Sequence, residues 1–120
     1  MPLTRTKTQT AQGFDLAASA CQPCHSDMAT LTDAEADQLM PALAGWQRVG
    51  NRLEKTYRFA NYHETMAFVN AAAWISHREN HHPDLAVAYQ QCTVSYTTHA
   101  LGGLSINDFI CAAKIEALTP

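Results

Sequence analysis

Residues 46–59, WQRVGNRLEKTYRF, decide the fold because they contain two strand patterns separated by a two-residue turn. Apolar and polar side chains alternate over residues 53–59, with Lys55 as the exception, which is typical of a strand that buries one face. A shorter strand is predicted over 46–49. Gly50 and Asn51, between the two, are residues that tight hairpin turns favour. We therefore predict an antiparallel hairpin that forms part of a larger sheet.

Helices are predicted on both sides of this hairpin and near the end of the chain. Their predicted ranges are 33–43, 62–79 and 106–117, and each follows a capping residue with an acidic residue three positions later. These capping pairs are Thr32 with Glu35, Asn61 with Glu64, and Ser105 with Asp108. Pro41 is expected to kink or end the first helix.

The second and third predicted helices carry apolar stripes at helical spacing. In the second, the expected stripe is Tyr62, Met66, Val69 and Ala73, and further apolar residues stand at Phe68, Ala71, Trp74 and Ile75. A helix that is apolar on two sides is buried on two sides, either within the fold or against a second subunit. In the third, Cys111 and Ile115 are expected to lie off the core stripe.

Two further strands are predicted over 85–89 and 92–96, each with alternating apolar residues. The order of elements is then α-β-β-α-β-β-α. Paired strands separated by a helix predict an α+β fold: a four-stranded antiparallel sheet with three α-helices packed on one face. We assign this domain to residues 31–120 and expect residues 1–30 to form a flexible N-terminal arm.

The composition excludes several classes of function. The 120-residue chain has a formal net charge of −3 and no basic run, so direct binding of nucleic acid is not expected. It has no window of about 18 apolar residues, so no membrane span is expected. Residues 1–20 lack the apolar core of an export signal, and we therefore expect a cytoplasmic protein with reduced cysteines.

Residues 21–25, CQPCH, have the spacing that attaches a c-type haem. The expected cytoplasmic location disfavours this interpretation, because covalent haem attachment usually takes place after export. The favoured interpretation is a pair of exposed thiols on the flexible arm. Weak metal binding or redox chemistry at Cys21 and Cys24 is the alternative.

The histidines form the most informative pattern. His81 and His82 precede Pro83, which disfavours helix at His82 and places both histidines where a helix ends. His99 stands where the last predicted strand ends. If the two strands after Pro83 form a hairpin, its open end brings all three histidines around one pocket.

Three interpretations of these histidines remain open from the residues themselves. They could be surface or capping residues, or His77, His81 and His99 could bind a metal. The third interpretation, which the residues favour, is acid–base catalysis on an uncharged organic substrate. Histidine titrates near pH 6.5 and therefore donates or accepts protons at neutral pH.

At this point the sequence resembles the pterin-4a-carbinolamine dehydratase family. The resemblance rests on motifs in family order and spacing, and it covers roughly residues 31–117. The motifs are Asn80-His81-His82-Pro83, Tyr89, Val94, Thr98-His99, Gly103-Leu104-Ser105 and Asp108, together with Leu31–Glu35 and Trp46. Two residues depart from the common pattern: Asn80 stands where many relatives carry Asp, and Leu85 stands where some carry an aromatic residue.

The resemblance implies a dehydratase that converts 4a-hydroxytetrahydropterin to quinonoid dihydropterin by histidine acid–base catalysis. This reaction recycles the pterin cofactor of phenylalanine hydroxylase. The family works without a metal or a tightly bound cofactor and forms homodimers or homotetramers. Some members are instead protein-binding regulators, as dimerisation or transcriptional cofactors, and the two-sided second helix is the feature relevant to that alternative.

By the same resemblance, His81 and His99 are general acids, and His82 holds and orients the pterin. The expected substrate-binding residues are Asn80, Pro83, Asp84, Leu85, Thr97 and Thr98. Asp108 is expected to support these residues from behind without touching the substrate.

Overall fold

The architecture was obtained as a computed structural model, which describes residues 15–22 and 29–119. Within these residues the elements are helices α1 (Asp33–Leu39), α2 (Tyr62–Glu79) and α3 (Ile106–Glu116), and strands β1 (Gln47–Val49), β2 (Arg52–Arg58), β3 (Asp84–Val87) and β4 (Gln91–Tyr96). They follow one another as α1-β1-β2-α2-β3-β4-α3. The predicted α+β class and element order are confirmed.

The four strands form one antiparallel sheet in the order β1-β2-β4-β3. Both predicted hairpins are present, and the β1–β2 turn falls at Gly50, whose positive φ of 59° favours glycine. The two hairpins join where β4 pairs with β2. Strand β4 is therefore central, and its Cys92, Val94 and Tyr96 are fully buried beneath the helices.

The helix ends follow their capping residues. Thr32 and Ser105 each form a capping box with the acidic residue three positions later, and Asn61 accepts a hydrogen bond from the Glu64 amide. Helix α1 ends at Leu39, and a 3₁₀ turn at Met40–Ala42 holds Pro41, as expected for proline. No helix among the described residues is long and apolar enough to cross a membrane.

The buried face of α2 differs from the predicted stripe. The residues that face the core are Thr65, Phe68, Ala72, Ile75 and Ser76, whereas Tyr62 and Ala73 of the predicted stripe are exposed. Helical spacing identifies both apolar faces but cannot decide which one meets the sheet. The core face also accepts two hydroxyls, because Thr65 and Ser76 donate to backbone carbonyls of the preceding turn.

Lys55, the exception in the alternating strand, faces the helices because it has an acidic partner there. Its Nζ lies 2.8 Å from Glu116 Oε1 at the end of α3. The same oxygen accepts hydrogen bonds from the Trp46 indole (3.2 Å) and the Tyr57 hydroxyl (2.6 Å). The end of α3 is thereby fixed to the segment before β1 and to β2.

Part of the predicted N-terminal arm packs against this domain. Among the described residues of the arm, Leu16 is fully buried in the core, and the Lys114 ammonium donates to the Ala17 carbonyl. Cys111 and Ile115 were expected off the core stripe of α3, but both are fully buried. The expectation was wrong because this additional segment and α2 cover the side of α3 that would otherwise be exposed.

Candidate active site

The end of α2 places the first two candidate histidines. Asn80 adopts the left-handed conformation (φ 53°, ψ 42°), the only non-glycine residue with a positive φ among those described. The Asn80 amide donates to the His77 carbonyl and the His81 amide donates to the Ser76 carbonyl, at 3.2 and 3.1 Å. These two bonds are the Schellman motif, which ends a helix and reverses the chain. Asn80 therefore sets the direction in which His81 leaves the helix.

His81 turns inward and meets Asp108. Its Nε2 lies 2.7 Å from Asp108 Oδ1, and the two residues are 7% and 0% exposed. The imidazole ring also stacks on the Tyr96 ring, with centroids 5.6 Å apart and planes inclined by 9°. A carboxylate on one ring nitrogen and an aromatic ring on one face fix the orientation of this imidazole.

The second oxygen of Asp108 holds the segment that carries His99. Thr98 Oγ1 donates to Oδ2 at 2.7 Å, and the Ser105 amide donates to the same atom at 2.9 Å. Thr98 and Ser105 also share a hydroxyl–hydroxyl bond of 2.8 Å. The Thr98 hydroxyl and the Ser105 amide are both donors, so Asp108 Oδ2 accepts two hydrogen bonds from the segment that precedes α3.

The neighbours of these inward residues face solvent. His81 is buried and His82 is exposed, and Thr98 is 2% exposed while His99 is exposed at the start of a 3₁₀ turn. Two segments therefore each supply an inward residue that reaches Asp108 and an outward histidine. One carboxylate holds both segments, which brings His82 and His99 to the same end of the domain.

Asp84 adds a charge at this end of the sheet. Arg52 Nη2 lies 2.8 Å from Asp84 Oδ2, and Arg52 Nε donates to the Ser95 hydroxyl at 2.9 Å. The hydrogen bond from Arg52 lowers the pKa of the Asp84 carboxyl, and the proximity of His99 lowers it further. An ionised, exposed carboxylate thus stands beside His99 at neutral pH.

The remaining predicted site residues divide by exposure. Pro83 and Thr97 are half-buried next to the histidines, and Asn80 is exposed. Leu85 is half-buried and packs against the core, so its side chain supports the strand from within. His77 is exposed and lies against the Trp74 ring on α2. Among the described residues, no group of three or more His, Cys, Asp or Glu could hold a metal ion.

Two features of the site were not identified from the sequence. Tyr96, the ring that supports His81, was predicted only as a core strand residue. Asp108 was predicted as a supporting residue, but its direct bond to His81 was not, and it supplies the carboxylate partner that Asn80 does not. The sequence does show an acidic residue three positions after Ser105, but helix capping is a sufficient explanation for it. No local pattern connects this residue to a histidine 27 positions away.

Comparison with known proteins gives the same result over most of the chain. The family model for pterin 4 alpha carbinolamine dehydratase matches residues 29–118. A relative from Nitrosospira multiformis is 59% identical over 104 residues, covering 87% of this chain and 92% of its own length. One from Dechloromonas aromatica is 55% identical over 108 residues, covering 90% and 96%. Both are named only provisionally as pterin-4-alpha-carbinolamine dehydratases.

Two solved structures are also similar. A transcriptional coactivator/pterin dehydratase from Brucella melitensis has a TM-score of 0.74 at 28% identity, over 77% of this chain and all of that one. A pterin dehydratase-like protein, identified as a RuBisCO assembly factor in the alpha-carboxysome, has a TM-score of 0.51 at 26% identity, over 61% of this chain and 84% of that one. With the family model, the relatives and the fold in agreement, the chain belongs to the pterin-4-alpha-carbinolamine dehydratase family.

Proposed function

We propose that the protein dehydrates 4a-hydroxytetrahydropterin to quinonoid dihydropterin by histidine acid–base catalysis. The observation that carries this proposal is the Asp108 carboxylate, which holds the His81 and His99 segments together and leaves His82 and His99 exposed. Loss of the hydroxyl at C4a needs a proton on the leaving oxygen, while the lone pair on N5 pushes it out. N5 then loses its own proton, so the reaction needs proton donors and acceptors only.

In this proposal His81 and His99 are the general acids, and His82 holds and orients the pterin. The leaving hydroxyl takes one proton from one of the two general acids and departs as water, and the proton that N5 then loses restores that histidine. The bond to Asp108 keeps the His81 ring in one orientation, as a carboxylate does in other catalytic histidine pairs. His82 and His99 are exposed and therefore accessible to a planar substrate that lies across the end of the sheet. Positioned acid–base groups of this kind typically contribute about 10²–10⁴-fold in rate.

The decisive experiment follows the decay of 4a-hydroxytetrahydropterin by ultraviolet absorbance with and without the purified protein. We expect the protein to accelerate the decay and the His82→Ala variant to lose most of that acceleration. His63→Ala, which removes an exposed histidine near the start of α2, is the matched control and should retain it. Full activity in a variant that lacks His81, His82 and His99 together would exclude this function.

The physiological part of the proposal is recycling of the pterin cofactor of phenylalanine hydroxylase, in the cytoplasm. It is tested by adding the protein to a hydroxylase reaction that contains limiting pterin and a dihydropterin reductase. Tyrosine formation is expected to rise with the wild-type protein and not with the His82→Ala variant. The same rate with both proteins would contradict the link.

A second candidate is a protein-binding regulator or a homo-oligomer that uses the outer face of α2. Two large aromatic side chains of α2, Trp74 and Tyr62, are 60% and 50% exposed, and exposed apolar groups can mark an interaction surface. The Brucella melitensis relative also carries the coactivator name in addition to the dehydratase name. Light scattering of the wild type and of Trp74→Glu tests whether this face joins subunits. If the wild type is a homodimer or homotetramer and the variant is a monomer, the outer face of α2 is the subunit interface.

A further inference from the structure

Two cysteines outside the histidine site lie in contact. Cys21 of the N-terminal segment and Cys111 of α3 have their sulfur atoms 3.2 Å apart, although they are 90 positions apart in the chain. A disulfide bond is about 2 Å long, so closure requires a movement of about 1 Å. Cys111 is fully buried, whereas Cys21 is half-buried and therefore accessible to a small reagent.

The position of Cys21 is fixed by several bonds. Its amide donates to Glu79 Oε1 at the end of α2, at 2.9 Å. The next residue, Gln22, exchanges two bonds with the Asn107 side chain: its amide donates to Oδ1 at 2.9 Å, and its carbonyl accepts from Nδ2 at 2.6 Å. These hydrogen bonds of the N-terminal segment therefore hold the two thiols in contact.

We propose that Cys21 and Cys111 form a reversible intramolecular disulfide when the protein meets a low-molecular-weight disulfide such as oxidised glutathione. Cys21 loses its proton, attacks one sulfur of the reagent and releases one thiol. Cys111 then loses its proton and attacks the Cys21 sulfur, which releases the second thiol. The protein gives up two protons and two electrons, and the sulfur–sulfur bond of the reagent is reduced to two thiols.

The surroundings of Cys21 determine how fast this exchange proceeds. Contact with the Cys111 thiol, burial and the negative charge of Glu79 all raise the pKa of Cys21. Its thiolate is therefore scarce at neutral pH, and the pair stays reduced unless the oxidant persists. Since the thiolate is the attacking species, the cross-linking rate is expected to rise about tenfold per pH unit.

The disulfide would attach the N-terminal segment covalently to α3, close to the ring that supports His81. Burial and the neighbouring Cys111 raise the pKa of the Tyr96 hydroxyl, and the ring of the same tyrosine stacks on His81. Oxidation therefore joins, behind the histidine site, two parts of the chain that are otherwise held only by hydrogen bonds and packing.

The test uses the full chain, incubated with oxidised glutathione, quenched in acid and digested with a protease that cleaves before aspartate. Cleavage leaves Cys21 and Cys24 in peptide 15–26, Cys92 in peptide 84–107 and Cys111 in peptide 108–120. We expect mass spectrometry to find peptide 15–26 linked to peptide 108–120, with the link lost on reduction. The denatured protein should also lose two of its four reactive thiols.

Two variants identify the cysteine within the first peptide. The link should persist in Cys24→Ser and disappear in Cys21→Ser, whose half-buried position tolerates the change and whose fold is checked by circular dichroism. Each of four results would overturn the proposal: a disulfide to peptide 84–107, a disulfide within peptide 15–26, disulfide-bonded dimers, or retention of all four thiols. A rate that does not rise with pH would overturn the exchange mechanism.

Discussion

At the scale of single residues, Asp108 has the largest influence on the site because its two oxygens hold two different segments. Oδ1 contacts His81, and Oδ2 accepts from Thr98 and from the Ser105 amide. Asp108 acts by positioning other residues, because its bonds to His81 and Thr98 fix the distance between the end of α2 and the end of β4. It is a positioning residue, and its loss should affect the rate more than substrate binding.

Asp108→Asn is predicted to lower kcat of the proposed dehydration by about 10²-fold, with KM changed much less, because the amide replaces one acceptor by a donor. The free energy of unfolding should fall by about 1–3 kcal/mol, since a buried donor loses its partner. Urea unfolding and steady-state kinetics measure both. Thr98→Val removes a single donor and should give a smaller loss of kcat; equal losses in the two variants would contradict this assignment.

The site roles of the three histidines stay predictions, and the sequence did not predict that Asp108 contacts His81. His81, His82 and His99 stand out because proline, strand ends and loops mark their positions locally. The pairing of His81 with Asp108 depends on how α3 crosses the end of the sheet, and no local pattern contains that information. The burial of Thr98 and the exposure of His99 likewise follow from the β-bridge between Thr98 and Gly103, which forms only in the folded chain.

At the scale of elements, the end of α2 is set by one residue in a conformation that most side chains avoid. Asn80 is left-handed, and asparagine and glycine tolerate this conformation best. The resemblance to relatives with Asp at this position pointed to a missing charge. The structure shows a backbone role, and the predicted contact of Asn80 with the substrate stays a prediction.

Asn80→Ala is predicted to destabilise the protein by about 1 kcal/mol, because a side chain with a Cβ and no compensating polar group is strained at positive φ. Asn80→Gly relieves the strain and should remain within about 0.5 kcal/mol of the wild type. Urea unfolding of the three proteins gives the comparison. If the alanine variant matched the wild type, helix termination would not depend on this residue.

Element bounds were predicted well wherever capping determines them, as for α2, whose predicted range of 62–79 is the observed one. The buried face of α2 was not predicted correctly. The helix has two apolar faces, and which of them packs against the sheet depends on the tertiary fold. The order of the strands also required long-range information: alternation identifies each hairpin, but the β2–β4 pairing connects residues about forty positions apart.

At the scale of the whole molecule, a cluster around Glu116 closes the structure. One carboxylate oxygen binds Trp46, Lys55 and Tyr57, and it thereby ties the last helix to the first hairpin. Burial alone would raise the pKa of Glu116, but the hydrogen bonds from Lys55 and Tyr57 outweigh it, and the pKa lies below its ordinary value of 4.5. The charged form is therefore the one that stabilises the fold.

The pH dependence of stability follows from this sign. A carboxyl whose pKa is lowered on folding stabilises the protein fully above its ordinary pKa, and this contribution is lost as the pH falls through the lowered value. We predict that thermal stability declines below about pH 4.5, and that Glu116→Gln is less stable at pH 7 with a flatter acid decline. Melting curves from pH 7 to acid measure both, and parallel curves for the two proteins would refute the assignment.

The N-terminal segment contributes to the core. Leu16 is fully buried although it lies before the range that the family model matches. Leu16→Ala is predicted to cost about 2–4 kcal/mol, as for other buried leucines, whereas Leu118→Ala, at a residue 39% exposed, should cost less than about 1 kcal/mol. Equal effects in denaturant unfolding would show that the segment leaves the domain in solution.

The alternation of inward and outward residues has a consequence for how the length of this protein can change. Because Thr98 reaches Asp108 and His99 faces solvent, the insertion of one residue after Tyr96 would exchange the two and turn the histidine away from the surface. The same applies between Asn80 and Pro83. Insertions and deletions in these two short segments are therefore expected to disrupt the arrangement of the histidines, even where the rest of the fold remains intact.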